Sequence, residues 1–269
     1  LASLAAEGFR AGVTPRSPWG LRLPGRAPVT GTTAFRDGLV EIQDEGSQLL
    51  AYLVAPKRRE MVADFCAGAG GKTLALGALM QSQGRLYAFD VSETRLNKLK
   101  PRLKRSGLSN VNPQLIASEN DLKIKRLAGK FDRVLVDAPC SGFGTLRRNP
   151  DLKWRQKPGD VQEMVAKQTR ILASAARLVK PGGRLVYATC SLLEEENARL
   201  AAEAEQVKRE LETRKSVERA KGILQRRHNL TEEDAYLRMR NESRRLRRPM
   251  KELADAIILA EELSRREAE

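Results

Sequence analysis

Histidine is nearly missing from this chain: one residue, His228, in 269. It lies far along the sequence from every candidate nucleophile, which argues against Ser-His-Asp or Cys-His hydrolysis. Cysteine is scarce too. The three present show neither a pairing pattern nor ligand spacing with histidine, so a disulfide framework and a metal site are both unsupported, and free thiols in a reducing compartment are expected. Aromatic residues are 4% of the chain, too few for broad base-stacking platforms. No apolar run is long enough to span a bilayer. Acidic residues number 34 against 49 Lys and Arg, and the resulting charge of +15 is spread along the chain rather than gathered in a tail. Attraction to a polyanion follows, with RNA a better partner than a membrane and with an affinity that falls as salt rises.

What the chain does have is concentrated in three segments: Asp64-Phe65-Cys66-Ala67-Gly68-Ala69-Gly70-Gly71-Lys72-Thr73, Asp137-Ala138-Pro139-Cys140-Ser141-Gly142 and Ala188-Thr189-Cys190-Ser191. Each follows a short apolar run, at 61–64, 131–136 and 184–188. Runs rich in Val and Leu without polar alternation read as strands buried on both faces of a parallel sheet. Ligands collect at the carboxyl ends of such strands, so the three motifs are expected to face one crevice. Helical patterns over 73–80, 92–107 and 160–179 suit crossover helices. The second has Ser92 as N-cap and Gly107 as stop, and Pro101 is expected to kink or break it. Strand and helix alternating in this way predict a doubly wound α/β fold.

A glycine-rich turn between strand and helix lets a ligand approach the backbone, and the helix start adds unpaired N–H groups. Three ligand classes compete for it. A phosphate-binding loop would end in Gly71-Lys72-Thr73 as here, but would begin with Gly where Cys66 stands. A dinucleotide fingerprint would use Gly68 and Gly70 but needs Gly where Thr73 stands. Asp90, closing the apolar run 86–89, lies where an acid accepts from a ribose, which suits any adenosine-containing cofactor. The loop alone leaves NAD and S-adenosylmethionine both open.

Cys66, at a strand end among apolar residues, reads as buried and inert. Cys140 and Cys190 differ, because each follows a strand, each precedes a serine, and the two strands could be neighbours. The chemistry that wants two such thiols is methyl transfer to carbon 5 of a cytosine. That carbon is a poor nucleophile, so a thiolate must first add to carbon 6, and the covalent bond is released when a base removes the carbon 5 proton. A carboxyl group near ring nitrogen 3 stabilises the adduct, a task Asp137 could take, with Cys140 assisting release.

At these residues the chain resembles the RsmB/Nop2/Sun group of RNA 5-methylcytosine methyltransferases, over roughly Val40 to Asn197. The match includes Gln43-Asp44-Glu45-Gly46-Ser47, the glycine loop, the two cysteine motifs, Arg147-Arg148-Asn149-Pro150-Asp151 and Glu195-Glu196-Asn197. The resemblance implies a Rossmann-like sheet and S-adenosylmethionine as cofactor. It also implies Cys190 as nucleophile, Cys140 as the residue that helps release product, and Asp137 near methyl donor and base. Cofactor contacts would come from Cys66, Ala67, Gly68, Ala69, Gly70, Gly71, Lys72 and Asp90, and from either Glu119 or Asn120 at the adenine. Three departures stand out. The family loop usually reads Cys-Ala-Ala-Pro-Gly-Gly-Lys, whereas Gly68-Ala69 occupy its middle; the chain starts at Leu1 with the usual upstream RNA-positioning domain largely absent; and the sheet is expected to stop after the second cysteine motif, with its C-terminal strands missing.

From about Ala198 the composition turns charged and helical. Leu200, Ala204, Val207 and Leu211, then Val217, Ala220 and Leu224, recur at helical spacing. After a break at His228-Asn229, Thr231 reads as the N-cap of a helix to Leu246, and Pro249 as the start of a third bearing Leu253, Ile257 and Leu263. A three-helix bundle is predicted. Over roughly 203–263 this stretch resembles ANTAR domains, on Val217 to Leu224, Leu230 to Tyr236 and Arg248 to Ile257. That resemblance implies RNA hairpin binding through Arg219, Lys221, Arg238 and Arg240, and a homodimer through the C-terminal helices.

The expected organisation is a partial N-terminal extension over 1–39, a methyltransferase domain over 40–198 and a helical RNA-binding domain over 199–269. The expected activity is RNA cytosine-5 methylation, of ribosomal RNA, in a bacterial cytoplasm. Arg147 and Arg148 beside the catalytic loop, and Arg102, Lys104, Arg105, Lys123, Lys125 and Arg126, are candidate phosphate contacts. A reading of another class is a non-catalytic RNA-binding antitermination regulator carrying a relic sheet; a fusion of unrelated fragments is a third.

Overall fold

The computed structural model describes residues 1–25 and 27–266, with side chains at all of these except 158, 198–208, 210, 211 and 264–266. Two compact units result, Leu1–Ala202 and Glu203–Glu269.

The first unit is built on a five-stranded sheet: β1 (Met61–Asp64), β2 (Arg85–Asp90), β3 (Val111–Leu115), β4 (Phe131–Asp137) and β5 (Val179–Ala188). The order is β3-β2-β1-β4-β5 and every pairing is parallel. Helices α1 (Glu45–Val54), α2 (Gly71–Leu79) and α3 (Glu93–Ser106) cover one face, α4 (Leu122–Arg126) and α5 (Pro158–Leu178) the other. Side-chain alternation along the strands supplies both interfaces. Val62, Leu86 and Leu135 meet Ala51, Val54, Leu76 and Met80, while Phe89, Val134 and Val136 meet Ile124, Ile171, Ala175 and Leu178 on the opposite side. Burying each of the larger side chains stabilises the unit by about 1.5–3 kcal/mol. The order reverses between β1 and β4, and at that switch point the carboxyl ends of the strands open a crevice.

Before β1, the N-terminal segment is tied to the sheet domain by charge. The Glu45 carboxylate accepts the N–H groups of Arg16 and Ser17 at 2.9 and 3.0 Å. Arg105 lies 3.7 Å over the Phe35 ring, donates to the Phe35 and Val40 carbonyls, and pairs with Glu41. Within β5 the register jumps from Phe131 opposite Val179 to Arg133 opposite Arg184, so Lys180-Pro181-Gly182-Gly183 forms a bulge rather than a break.

Pro101 does not break α3, which runs continuously from Glu93 to Ser106. The lost hydrogen bond is offset elsewhere in the helix. Ser92 accepts from the Arg95 N–H, Gly107 takes a left-handed φ of 68°, and Leu96 and Leu99 are buried under the glycine loop.

The second unit holds α6 (Ala198–His228), α7 (Glu232–Leu246) and α8 (Met250–Arg266). Ala220, Leu224, Ala235, Met239 and Ala254 form its core, with Val217, Leu253 and Ile257 packed around. Asn229, at φ 51°, ends α6, and the Thr231 hydroxyl accepts the Asp234 N–H at 3.1 Å to start α7. Leu263, expected on the apolar face, is instead 51% exposed, because the core ends near Ile258. Leu200, Ala204, Val207 and Leu211 lie outside the described side chains. Among the described residues no helix is long and apolar enough to cross a membrane.

Proline in a helix interior costs ~3 kcal/mol relative to alanine, a difference that already includes the unfolded chain. Pro101→Ala is therefore expected to raise the stability of the first unit by up to about 3 kcal/mol in urea denaturation, and an unchanged or lower midpoint would contradict this account of α3.

Candidate active site

The glycine loop leaves β1 and turns into α2 through two left-handed glycines, Gly68 at φ 57° and Gly70 at φ 85°. At Gly70 a Cβ would lie 2.1 Å from Leu99 Cδ1, so only glycine lets the loop settle on α3. Asp90, at the end of β2, braces the loop from below. One of its oxygens accepts the Gly68 N–H at 2.8 Å, and the other accepts the Ser92 N–H at 2.8 Å and pairs with Arg95 at 2.9 Å. Arg102 donates to the Ala69 carbonyl at 2.6 Å from the other side and pairs with Glu41. Arg102 and Arg105, expected as phosphate contacts, are thus spent on internal structure.

The loop, the three strand ends and α5 enclose a crevice of about 610 Å³. Cys66, Ala67, Gly68, Ala69, Gly71, Lys72, Asp90, Asp137, Cys140 and Cys190 all line it, and Glu119 does so while Asn120 does not. Asn120 accepts from Arg177 at 3.1 Å instead. Gly70 sits beneath, against Leu99. Arg148 reaches Asp44 at the rim, 2.6 Å away, and Arg147 is exposed. Residues not expected in the site include Gln43, which stood only in the matched segment 43–47, and Arg95, Val91 and Ile116, whose signal was proximity to the motifs.

Three carboxylates end β1, β2 and β4, and each is treated differently. Asp64 is fully buried, and burial pushes its carboxyl up to about 7 against the opposing hydrogen bond from Thr73 at 2.7 Å. Asp137 pairs with the Lys72 ammonium at 2.6 Å. The crevice also presents two orphaned buried atoms, Asp64 Oδ1 and Gln43 Nε2. The crevice wall also includes the apolar Val91 and Ile116, and Glu119, whose carboxylate pairs with Arg170 at 3.1 Å.

The two thiols meet at the edge of this crevice. Asp137 and Ala188 are in register, and the chain beyond each brings Cys140 Sγ to 3.1 Å from Cys190 Sγ; the Cys190 N–H also points at Cys140 Sγ, 3.3 Å away. A hydrogen bond from the Cys140 thiol pushes Cys190 down to about 7, while burial works the other way. That same bond, with burial added, pushes Cys140 far above the ordinary thiol range. Of the two thiols Cys190 is the one that ionises more readily, while Cys140 holds its proton. Cys66 is driven upward by burial and by the surrounding carboxylates, and so is inert.

Among the proposed RNA contacts of the second unit, Lys221 is buried and donates to Glu218 and Glu232 at 2.9 and 2.8 Å. Arg219 pairs with Glu262 at 2.8 Å, Arg240 is half-buried with an unpartnered Nε, and Arg238 is exposed.

Alkylation of Cys190 by iodoacetamide, followed by peptide mass spectrometry, is expected to titrate with a midpoint near 7. In Cys140→Ala the midpoint should move toward the ordinary thiol value of about 8.5, since the donor is gone; an unmoved midpoint would show that Cys140 does not set the thiolate.

The sequence profile of the family 16S rRNA methyltransferase RsmB/F matches residues 51–259. The probable ribosomal RNA small subunit methyltransferase B of Synechocystis sp. is 41% identical over 184 residues, which are 67% of this chain and 40% of that protein. The chain thus spans about two fifths of that relative's length. Among solved structures, a methyltransferase homolog protein from Pyrococcus horikoshii is 36% identical with a TM-score of 0.66, covering 76% of this chain and 63% of that one. NSun6 from the same organism, solved with SFG, is 29% identical with a TM-score of 0.61, covering 69% and 46%. With S-adenosylmethionine as its cofactor and a Rossmann-like parallel sheet as its frame, this chain belongs to the 16S rRNA methyltransferase RsmB/F family.

Proposed function

We propose that the chain methylates carbon 5 of a cytosine in ribosomal RNA, with Cys190 as nucleophile. The observation that carries the reading is the pair of sulfurs 3.1 Å apart at the edge of a crevice lined by the glycine loop. Bound in that crevice, S-adenosylmethionine supplies an electrophilic methyl group. The protein's part begins with the Cys190 thiolate, which forms a bond to carbon 6 and shifts an electron pair onto carbon 5; that pair would form the new bond to the methyl group as the sulfonium–methyl bond breaks and a neutral thioether leaves. Asp137, at the end of β4 beside Lys72, is set to interact with ring nitrogen 3 and so to stabilise the added electron density.

Adduct formation changes Cys140. Its thiol is held protonated chiefly by the bond to Cys190, then by burial, then by that residue's charge. Once Cys190 is bonded to carbon, the bond and the charge are gone and burial alone still favours the thiol, so Cys140 gives up its proton to solvent more readily and can serve as a base. Removal of the carbon 5 proton then restores the ring double bond and expels the Cys190 thiolate.

The second unit is read as a helical RNA-binding module resembling ANTAR domains. Its three-helix core and the exposed Arg238 support this, whereas the pairing of the buried Lys221 with the exposed Glu218 and Glu232 favours a structural part for that residue. Association of two copies through these helices is part of the same reading, supported by the exposed Leu246 and Leu259.

Tritium transfer from labelled S-adenosylmethionine to a 16S rRNA transcript should fall to background in Cys190→Ala. In Cys140→Ala turnover should drop by ~10²-fold or more, with a slow-migrating protein–RNA adduct on a denaturing gel. Transfer that survives loss of Cys190 would overturn the assignment of nucleophile. In filter binding to an RNA hairpin, Arg238→Ala should lower the salt slope by about 1, while Lys221→Ala should instead lower the melting temperature of the second unit; the reverse pattern would refute the division of roles.

A further inference from the structure

A carboxylate buried with 0% exposure lies beside the two thiol loops and touches neither sulfur. It is Glu196, in the short turn of helix after the second cysteine motif. Its Oε1 accepts the Ser141 N–H and the Gln168 amide, both at 2.8 Å, and its Oε2 accepts the Ser141 hydroxyl. The Ser141 and Ser191 hydroxyls lie 3.0 Å apart. Gln168, itself fully buried on α5, also donates to the Pro139 carbonyl at 2.8 Å. Cys140 is therefore held on both sides, through Pro139 and through Ser141, and Cys190 is held through Ser191. Burial alone would favour the neutral acid, but the hydroxyls of Ser141 and Ser191, the Ser141 N–H and the Gln168 amide outweigh it and keep Glu196 ionised.

A buried charge of this kind is costly unless every donor around it is in place. Such a site tolerates little displacement of the groups it binds. Those groups are the residues next to each cysteine, and the two sulfurs they flank lie 3.1 Å apart. We propose that Glu196 is a positioning residue: its carboxylate, with Gln168 as partner, fixes Ser141 and Ser191 and so holds the two sulfurs at hydrogen-bonding distance. The role goes beyond the chemistry assigned to Cys140 and Cys190 and rests on that reading. A residue that only stabilised the fold would affect melting and leave the titration of Cys190 alone.

The test uses the full chain and three readouts: melting temperature, S-adenosylmethionine affinity by calorimetry, and the pH midpoint of Cys190 alkylation by iodoacetamide. Glu196→Gln keeps the shape but removes the charge and turns an amide N–H₂ toward the donors. Its alkylation midpoint is expected to rise by about one pH unit, a tenfold loss of thiolate below the midpoint, with cofactor affinity unchanged because Glu196 does not line the crevice. Should Glu196→Gln fail to fold, Gln168→Leu removes one donor and the Pro139 contact, and should raise the midpoint in the same direction. A low midpoint in the unsubstituted protein with a superimposable profile in the folded variant would overturn the positioning role and leave the nucleophile assignment standing. An ordinary thiol midpoint in the unsubstituted protein would overturn both.

Discussion

Neighbouring parallel strands lie about 4.8 Å apart, and β4 and β5 are in register at Asp137 and Ala188. Two loops leaving adjacent strands at one level can bring side chains together only if each takes a set path, over three residues to Cys140 and over two to Cys190. Here those paths end in a sulfur–sulfur contact of 3.1 Å. A hydrogen bond between thiol and thiolate depends steeply on length, so the division of labour between Cys190 and Cys140 rests on this register and on whatever holds the loops to it. Gly144 adds to that hold: its N–H donates to the Cys190 carbonyl at 2.8 Å, and a Cβ there would come within 2.5 Å of the same oxygen. Asn197 closes the second loop from below by accepting the Thr189 hydroxyl and donating to the Ser191 and Leu193 carbonyls.

Charge around the thiols might be expected to decide their reactivity, but it largely cancels. Asp137 opposes a thiolate at Cys190 and Lys72 favours it. Their 2.6 Å pairing leaves a dipole rather than a net charge at that distance. The neighbouring thiol, rather than a cation or a helix start, is what lowers Cys190. This distinguishes the site from thiols activated by histidine, which this chain could not supply from its one distant residue. The carboxylates do more at the cofactor end. Asp90 spends one oxygen on the loop and the other on Ser92 and Arg95, so it ties the loop to the start of α3, while Oδ1 of the buried Asp64 has no partner.

The parallel sheet, the crevice at its switch point and the placing of all three motifs were legible, because buried strands and glycine turns leave local signatures in apolar runs and in Gly68 and Gly70. Cys66, read as buried and inert, is half-buried and lines the crevice. What escaped was long-range pairing. Arg102 and Arg105 look like free cations on a charged helix, and only the folded chain brings Glu41, the Ala69 carbonyl and the Phe35 ring to them. Lys221 stands in a charged run, yet Glu232 from the next helix buries it. Pro101 signals a break locally, whereas packing of Leu96 and Leu99 overrides it. Glu196 sits in a run of three glutamates, and nothing in that run tells which one turns inward; Ser141 and Gln168, 55 and 28 residues away, decide it.

These internal pairings also change the meaning of the net charge of +15. A cation already satisfied by a carboxylate and a carbonyl releases few counterions when a phosphate approaches, because it must first give up partners of similar worth. Arg102 and Arg105 fall in that group, and Arg133 and Lys221, paired with carboxylates alone, behave alike. Lys167, exposed on the wall of the crevice, and the exposed Arg147 do not. Under the proposed function, polyanion attraction at the site is carried by a few such side chains. Since each phosphate neutralised on a single strand contributes ~0.7 to the salt slope, the count of such contacts, and not the formal charge of the chain, sets how steeply RNA binding weakens with salt.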